Sequence, residues 1–157
     1  MAVSADKILT STYDTVFSLL NTYAYSVIDA SSNTITLVPW STGNYWTGAY
    51  PHWDIDDKDS YPLGVLHTAT STEGAVTYGA DLYETGIEVE VFSTKGQHAA
   101  LFAEKIMKEM KDNESTLMTA GLKLKKTPTT IPSFTMRDKI RIHSIIIAFR
   151  FEVISVR

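Results

Sequence analysis

Four histidines, an acidic run and a pair of alternating glutamates are the residues of this chain whose types could do chemistry. His52, His67, His98 and His143 stand far apart and form no HxxxH or HExxH pair, the spacing that would set two imidazoles on one helix face around a metal. Cysteine is absent, which excludes disulfides, thiolate zinc sites and cysteine nucleophiles. The run Asp54-Ile-Asp-Asp-Lys-Asp59 invites a calcium loop. An EF-hand places oxygen ligands at positions 1, 3 and 5, glycine at 6 and glutamate at 12. Counted from Asp54, positions 5, 6 and 12 are Lys58, Asp59 and Val65, so the run reads as a solvated acidic loop. Glu88 and Glu90 share a strand face, as a glycosidase pair can. Alternating glutamates on an exposed strand are also ordinary. No GxSxG, Walker A or GxGxxG pattern occurs. The expectation is no catalytic residue, no metal ligand, no cofactor and no enzyme.

A different kind of chemistry is concentrated in Trp40–Tyr61. The stretch holds all three tryptophans, Trp40, Trp46 and Trp53, with Tyr45, Tyr50 and Tyr61 and the acids Asp54, Asp56, Asp57 and Asp59. Neither a helical nor a strand period runs through it, and it is expected to be a long loop. Such loops inside compact domains are usually functional. Flat rings can stack on sugars or bases or anchor a protein interface; they can equally fold back over the core. The acidic neighbours argue against a phosphate backbone as the partner. Trp40, Tyr45, Trp46, Tyr50 and Trp53 are therefore candidate partner contacts.

The elements that must position these residues are legible from period. The chain has 157 residues, 44% hydrophobic and 20% charged, with 14 Lys and Arg against 18 Asp and Glu. That length and composition fit one domain, 1–157, with a core of its own. The net charge of −4 argues against a protein that works by neutralising phosphates. No signal peptide is expected at the N-terminus. The longest apolar run, Ile145–Phe149, is too short to span a bilayer.

Leu9, Tyr13, Val16, Leu20, Tyr23 and Val27 step at helical spacing, predicting a helix over 4–28 capped by Ser4. Strands are expected at Asn33–Val38, Pro62–Thr70, Gly86–Phe92 and Leu117–Lys126. Ser71–Asp81 and Thr127–Pro132 read as loops. Ala99, Phe102, Ala103, Ile106 and Met110 make the stripe of a helix over 97–112, opened by a capping box from Thr94 to Gln97. Glu104 and Lys108 are its expected i,i+4 pair. Ile140–Val156 closes the chain as a strand apolar on both faces through Ile145–Phe149, and so covered on both. One cover would be a helix of the same chain and the other a neighbouring subunit, which makes Ile145, Ile147 and Phe149 candidate interface residues. The fold class is α+β: a mostly antiparallel sheet, two main helices packed on one side, and a long aromatic loop at 40–61.

The order of these elements resembles tail terminator (tail completion) proteins of long-tailed phages and related viruses. The segment Glu84-Thr-Gly-Ile-Glu-Val-Glu-Val-Phe-Ser-Thr-Lys-Gly-Gln-His-Ala-Ala-Leu-Phe-Ala-Glu-Lys-Ile, a strand feeding a helix with small residues in its first turn, carries the likeness best. The closing Arg141-Ile-His-Ser-Ile-Ile-Ile-Ala-Phe-Arg-Phe-Glu-Val strand is the second match. The resemblance implies a structural virion protein without enzyme activity, located at the head-proximal end of the tail and assembled in the host cytoplasm. It implies a ring, commonly a hexamer, that caps the last ring of tail-tube subunits, stops polymerisation and presents a surface to a head-completion or neck protein. DNA would pass through the lumen without specific binding, and no membrane is involved. Acidic side chains facing inward would repel its phosphates, which makes Asp54, Asp56, Asp57, Asp59, Glu88 and Glu90 candidate channel residues. Two other readings stand beside it: another head–tail connector or neck protein, and a carbohydrate-binding module using the Trp/Tyr loop.

Overall fold

Alternating Val, Ile and Phe make two long strands, and their pairing is the spine of the domain. The computed structural model describes residues 3–4, 7–39, 41–47, 61–77, 80–125, 128–137 and 140–156. Strands β7 (Ala80–Ser93) and β10 (Ile140–Val156) run antiparallel, with His143 opposite Ser93 at one end and Val156 opposite Ala80 at the other. The far side of β10 is lined in turn by β9 (Thr129–Arg137), β8 (Leu122–Leu124) and the parallel β1 (Val3–Ser4). The far side of β7 is lined by β6 (Thr70–Thr77) and β5 (Leu63–Leu66), with β4 (Trp46–Thr47) parallel beyond β5. These eight strands form one mixed, mainly antiparallel sheet. A separate hairpin joins β2 (Ser26–Ile28) to β3 (Thr34–Thr36). Three helices, α1 (Ile8–Tyr23), α2 (Gly96–Asp112) and α3 (Glu114–Thr119), pack against the sheet, giving a single α+β domain.

Strand periodicity sorts the sheet into two faces. Thr85, Ile87, Val89 and Val91 of β7 lie opposite Phe151, Phe149, Ile147 and Ile145 of β10. This face meets the helices. Ile87, Val89, Val91, Ile147, Phe149 and Phe151 join Val16, Leu20, Phe102, Ile106, Met110 and Leu117 in one buried cluster. Thr12 of α1, fully buried, donates its hydroxyl to the Ile8 carbonyl at 2.8 Å and lies 3.4 Å from the Thr85 hydroxyl. The expectation for α2 holds residue by residue: Ala99, Phe102, Ala103, Ile106 and Met110 are all buried.

Several local expectations are corrected. The first helix starts at Ile8, not Ser4, because Ser4 pairs with β10 in β1. Its buried residues are Ile8, Thr12, Val16, Leu19 and Leu20, while Leu9 and Tyr23 are exposed and Val27 belongs to β2. The capping box does not form. Lys95 occupies the N-cap of α2, and the Ser93 hydroxyl accepts the Lys95 backbone N–H instead. The helix pairs are Lys105–Glu109 and Lys108–Asp112, not Glu104–Lys108. The stretches read as loops at 71–81 and 127–132 supply β6 and much of β9, and the strand expected at 117–126 is α3 followed by the short β8. Within the expected loop at 40–61, Trp46–Thr47 form β4, and residues 40 and 48–60 lie outside the described residues.

Candidate functional surface

The sheet face turned away from the buried cluster has a different chemistry. Glu84, Gly86, Glu88 and Glu90 of β7 lie opposite Glu152, Arg150, Ala148 and Ile146 of β10. Lys123 of β8 lies opposite Glu152. Ion pairs cross the strands here: Arg150 to Glu84 at 3.1 Å, Lys125 to Glu84 at 3.2 Å and to Glu152 at 3.5 Å, and Lys123 to Glu152 at 4.0 Å. Hydrogen bonds from Lys125 first, and then from Arg150, hold the Glu84 carboxyl below its ordinary range. Glu84 reciprocally holds the Lys125 ammonium above its own. Lys125, just past β8, and Arg150 of β10 thus grip Glu84 of β7, while Lys123 and Lys125 reach Glu152 of β10.

Beside this network lies a cleft lined by His67, Thr68, Thr70, Gly86, Glu88, Ala148 and Arg150. His67 Nε2 lies 2.9 Å from Glu90 Oε1, within hydrogen-bond reach, and the Glu90 side chain is 7% exposed. Glu90 therefore turns into the protein and cannot line a channel, which corrects that expectation. Glu88, two residues away, is exposed as expected. Asp54, Asp56, Asp57 and Asp59 lie outside the described residues, as do Trp40, Tyr50 and Trp53.

The aromatic residues that are described serve the fold. Asn21 of α1 holds their segment in place. Its Oδ1 accepts the backbone N–H of Tyr45 at 2.9 Å and of Trp46 at 3.2 Å. The Trp46 ring is 1% exposed, and its Nε1–H donates to the Ala24 carbonyl at 3.1 Å. Tyr45 stacks on Tyr25 with ring centroids 4.6 Å apart. Ile147 and Phe149 are 0% and 1% exposed. Trp46, Ile147 and Phe149 are thus filled into this chain's own core and have no surface to offer a partner. Ile145, packed against the core but partly exposed, and Tyr45 keep some.

Gly64 explains how the Trp46 ring fits. The two residues pair directly between β4 and β5, and a Cβ at Gly64 would sit 2.7 Å from the ring's Cε3. Gly64→Ala should lower stability by at least about 1 kcal/mol through overpacking, read as a lower urea midpoint at an unchanged slope. An unchanged midpoint would mean that the ring does not lie against this backbone.

Sequence reasoning missed one surface, the strand β9. Its residues from Thr129 to Met136 are all exposed, with Ile131 at 58%, Phe134 at 60% and Met136 at 53%. The Arg141 guanidinium lies 4.9 Å over the Phe134 ring. Prolines at 128 and 132 hid the strand. Ile131 and Phe134, flanked by Thr130, Ser133 and Thr135, were the signal that could have found it.

Among the described residues no three His, Asp or Glu side chains converge as metal ligands, and no helix is long and apolar enough to cross a membrane. A comparison with known protein families and with curated proteins finds no match.

Proposed function

We propose that this chain is a structural subunit of a viral tail, which closes the tail tube as a ring and forms the surface to which the head joins. The observation that carries the reading is the order and placement of its elements. An N-terminal helix is followed by a sheet, α2 leaves β7 directly and packs back on the same face, and the long final strand β10 returns antiparallel along β7. This is the arrangement that the resemblance to tail terminator proteins implies. In such a ring each subunit meets its neighbours through two different faces. Exposed Glu88 is the one described candidate that could face passing DNA.

The test is solution mass by light scattering across a concentration series, with growth of tail tubes measured in the presence and absence of the protein. The reading expects a mass near six times 17.5 kDa or a reversible shift towards it, and tubes that stop growing. A strict monomer that leaves tube growth unchanged would overturn it. Quenching of tryptophan fluorescence on glycan titration would then favour a carbohydrate-binding module.

A further inference from the structure

Four side chains form a cross-strand square on one face of the β9–β10 hairpin. Phe134 of β9 lies opposite His143 of β10, and Met136 lies opposite Arg141. Directly opposed residues share a face, and so do residues two apart on a strand. Ile131 has the other parity and belongs to the other face. Phe134 and Met136 are more than half exposed, Arg141 is exposed and His143 is partly so. The N-terminus of α2 adjoins the square at His143. A Cβ at Gly96 would lie 3.3 Å from the imidazole Nδ1, and the N-cap of the helix is the exposed Lys95. None of these residues is an acid. Arg141 also differs from the chain's other cations. Lys105, Lys108, Lys123, Lys125 and Arg150 each reach a carboxylate of this chain. Among the described residues Arg141 reaches none; its guanidinium lies 4.9 Å over the Phe134 ring.

We propose that this square docks an acidic protein segment, which sets a carboxylate on the Arg141 guanidinium and an apolar side chain beside Phe134 and Met136. The charge selects the ligand. A guanidinium stacked on a ring keeps its N–H edge open, and that planar fork matches a carboxylate. Lys95 and the positive end of the α2 dipole add to the same sign of field. The apolar pair selects protein over nucleic acid. Phe, Met and Arg are the residue types enriched in protein interfaces, and an Arg beside buried aromatic surface is the usual anchor. A phosphate backbone is gripped by many cations along a stripe, whereas this face has Arg141 and Lys95 on a chain of net charge −4. A second copy laid square on square would set Arg141 against Arg141. The assignment goes beyond the ring reading and does not depend on it.

The probe is a fluorescent peptide in which Glu and Leu share one face of an extended chain. Its controls are the same peptide with Gln for Glu and a single-stranded oligothymidine. Binding to the full chain is read by anisotropy and mapped by backbone amide shifts. The acidic peptide should bind with a Kd of about 1 mM or tighter and shift the amides of Phe134, Met136, Arg141 and His143. The Gln peptide should bind at least about tenfold more weakly, and so should the acidic peptide to Arg141→Gln. Arg141→Lys should restore only part of the loss, because it keeps the charge without the fork. Phe134→Ala and raised salt should each weaken binding. Both variants change exposed side chains, and an unchanged circular dichroism spectrum and urea midpoint would show that the fold is kept. No binding at millimolar peptide, or binding that Arg141→Gln leaves unchanged, would overturn the proposal. Tighter binding of the oligothymidine than of the peptide would overturn it in favour of a phosphate ligand. A fall in self-associated mass on Arg141→Gln, with no loss of peptide binding, would assign the face to a second copy and overturn it as well.

Discussion

Trp46→Ala is expected to cost the domain about 3–5 kcal/mol, the range for truncating a large aromatic in a packed core. The ring is 1% exposed, lies against Gly64 and donates Nε1–H to the Ala24 carbonyl. Alanine would remove the ring's contacts, leave a cavity between β4, β5 and the end of α1, and strand that carbonyl. Against a total stability of about 5–15 kcal/mol for a domain of ordinary size, this is a large share. Urea unfolding should show it as a fall in midpoint with little change in slope. Trp46→Phe keeps most of the apolar volume and loses the hydrogen bond, so its cost should be much smaller. A tryptophan acting as a surface contact would behave differently. Its alanine variant would stay within about 0.5 kcal/mol of the parent and lose only partner binding, and that result would overturn the assignment of Trp46 to the core.

The fold was legible where one period ran unbroken. The stripe of α2 and the long β10 are read correctly, because the buried positions of α2 step by three and four residues and those of β10 alternate from Ile147 to Val153. The errors fall where local chemistry competes with tertiary pairing. Thr, Ser and Gly between 70 and 77 look like a loop, yet β7 offers them a ladder and they become β6. Pro132 argues against a strand, but β9 is an edge, where a missing donor is tolerated. Between 114 and 119 there is no strong strand signal, and Leu117 reaches the core from a short helix. On α1 the six-residue spacing suggested a face rotated slightly from the true one. Sequence spacing could not foresee that Thr12 would be buried against Thr85.

The functional surface was harder to read, for a physical reason. Period shows which side of a strand alternates, not which strand lies beside it. Glu88 and Glu90 have the same parity, but only Glu90 is reached by His67 from the end of β5, 23 residues away in sequence. Likewise the apolar closing strand was read as needing two covers. One cover is this chain's own helices over Ile147 and Phe149, while Ile146 and Ala148 on the other face are half-buried.

The pair His67–Glu90 carries the second large effect, and its sign is fixed by the direction of one shift. The hydrogen bond to Glu90 first, and then the charges of Glu90 and Glu88, hold the His67 imidazole above its ordinary range against the opposing effect of partial burial. Arg150 on β10 lines the same cleft. Its charge would oppose protonation of His67, but it is engaged with Glu84. A group raised in the folded state stabilises fully below its unfolded pKa, near 6.5 for histidine. That stabilisation is lost as pH rises through the folded value. His67→Ala removes a hydrogen bond to a charged, buried partner, a loss of about 1.5–3 kcal/mol. The gap in urea midpoint between parent and variant should therefore be widest near pH 5.5 and narrow towards pH 8.5. A residual gap is expected even there, because neutral imidazole can still donate Nε2–H to the carboxylate. The same series on Glu90→Gln should show its gap shrinking over the same range, since the amide removes the charge that favours the imidazolium. A gap that stays constant across the range would mean that His67 remains neutral in the folded protein and serves Glu90 only as a hydrogen-bond donor.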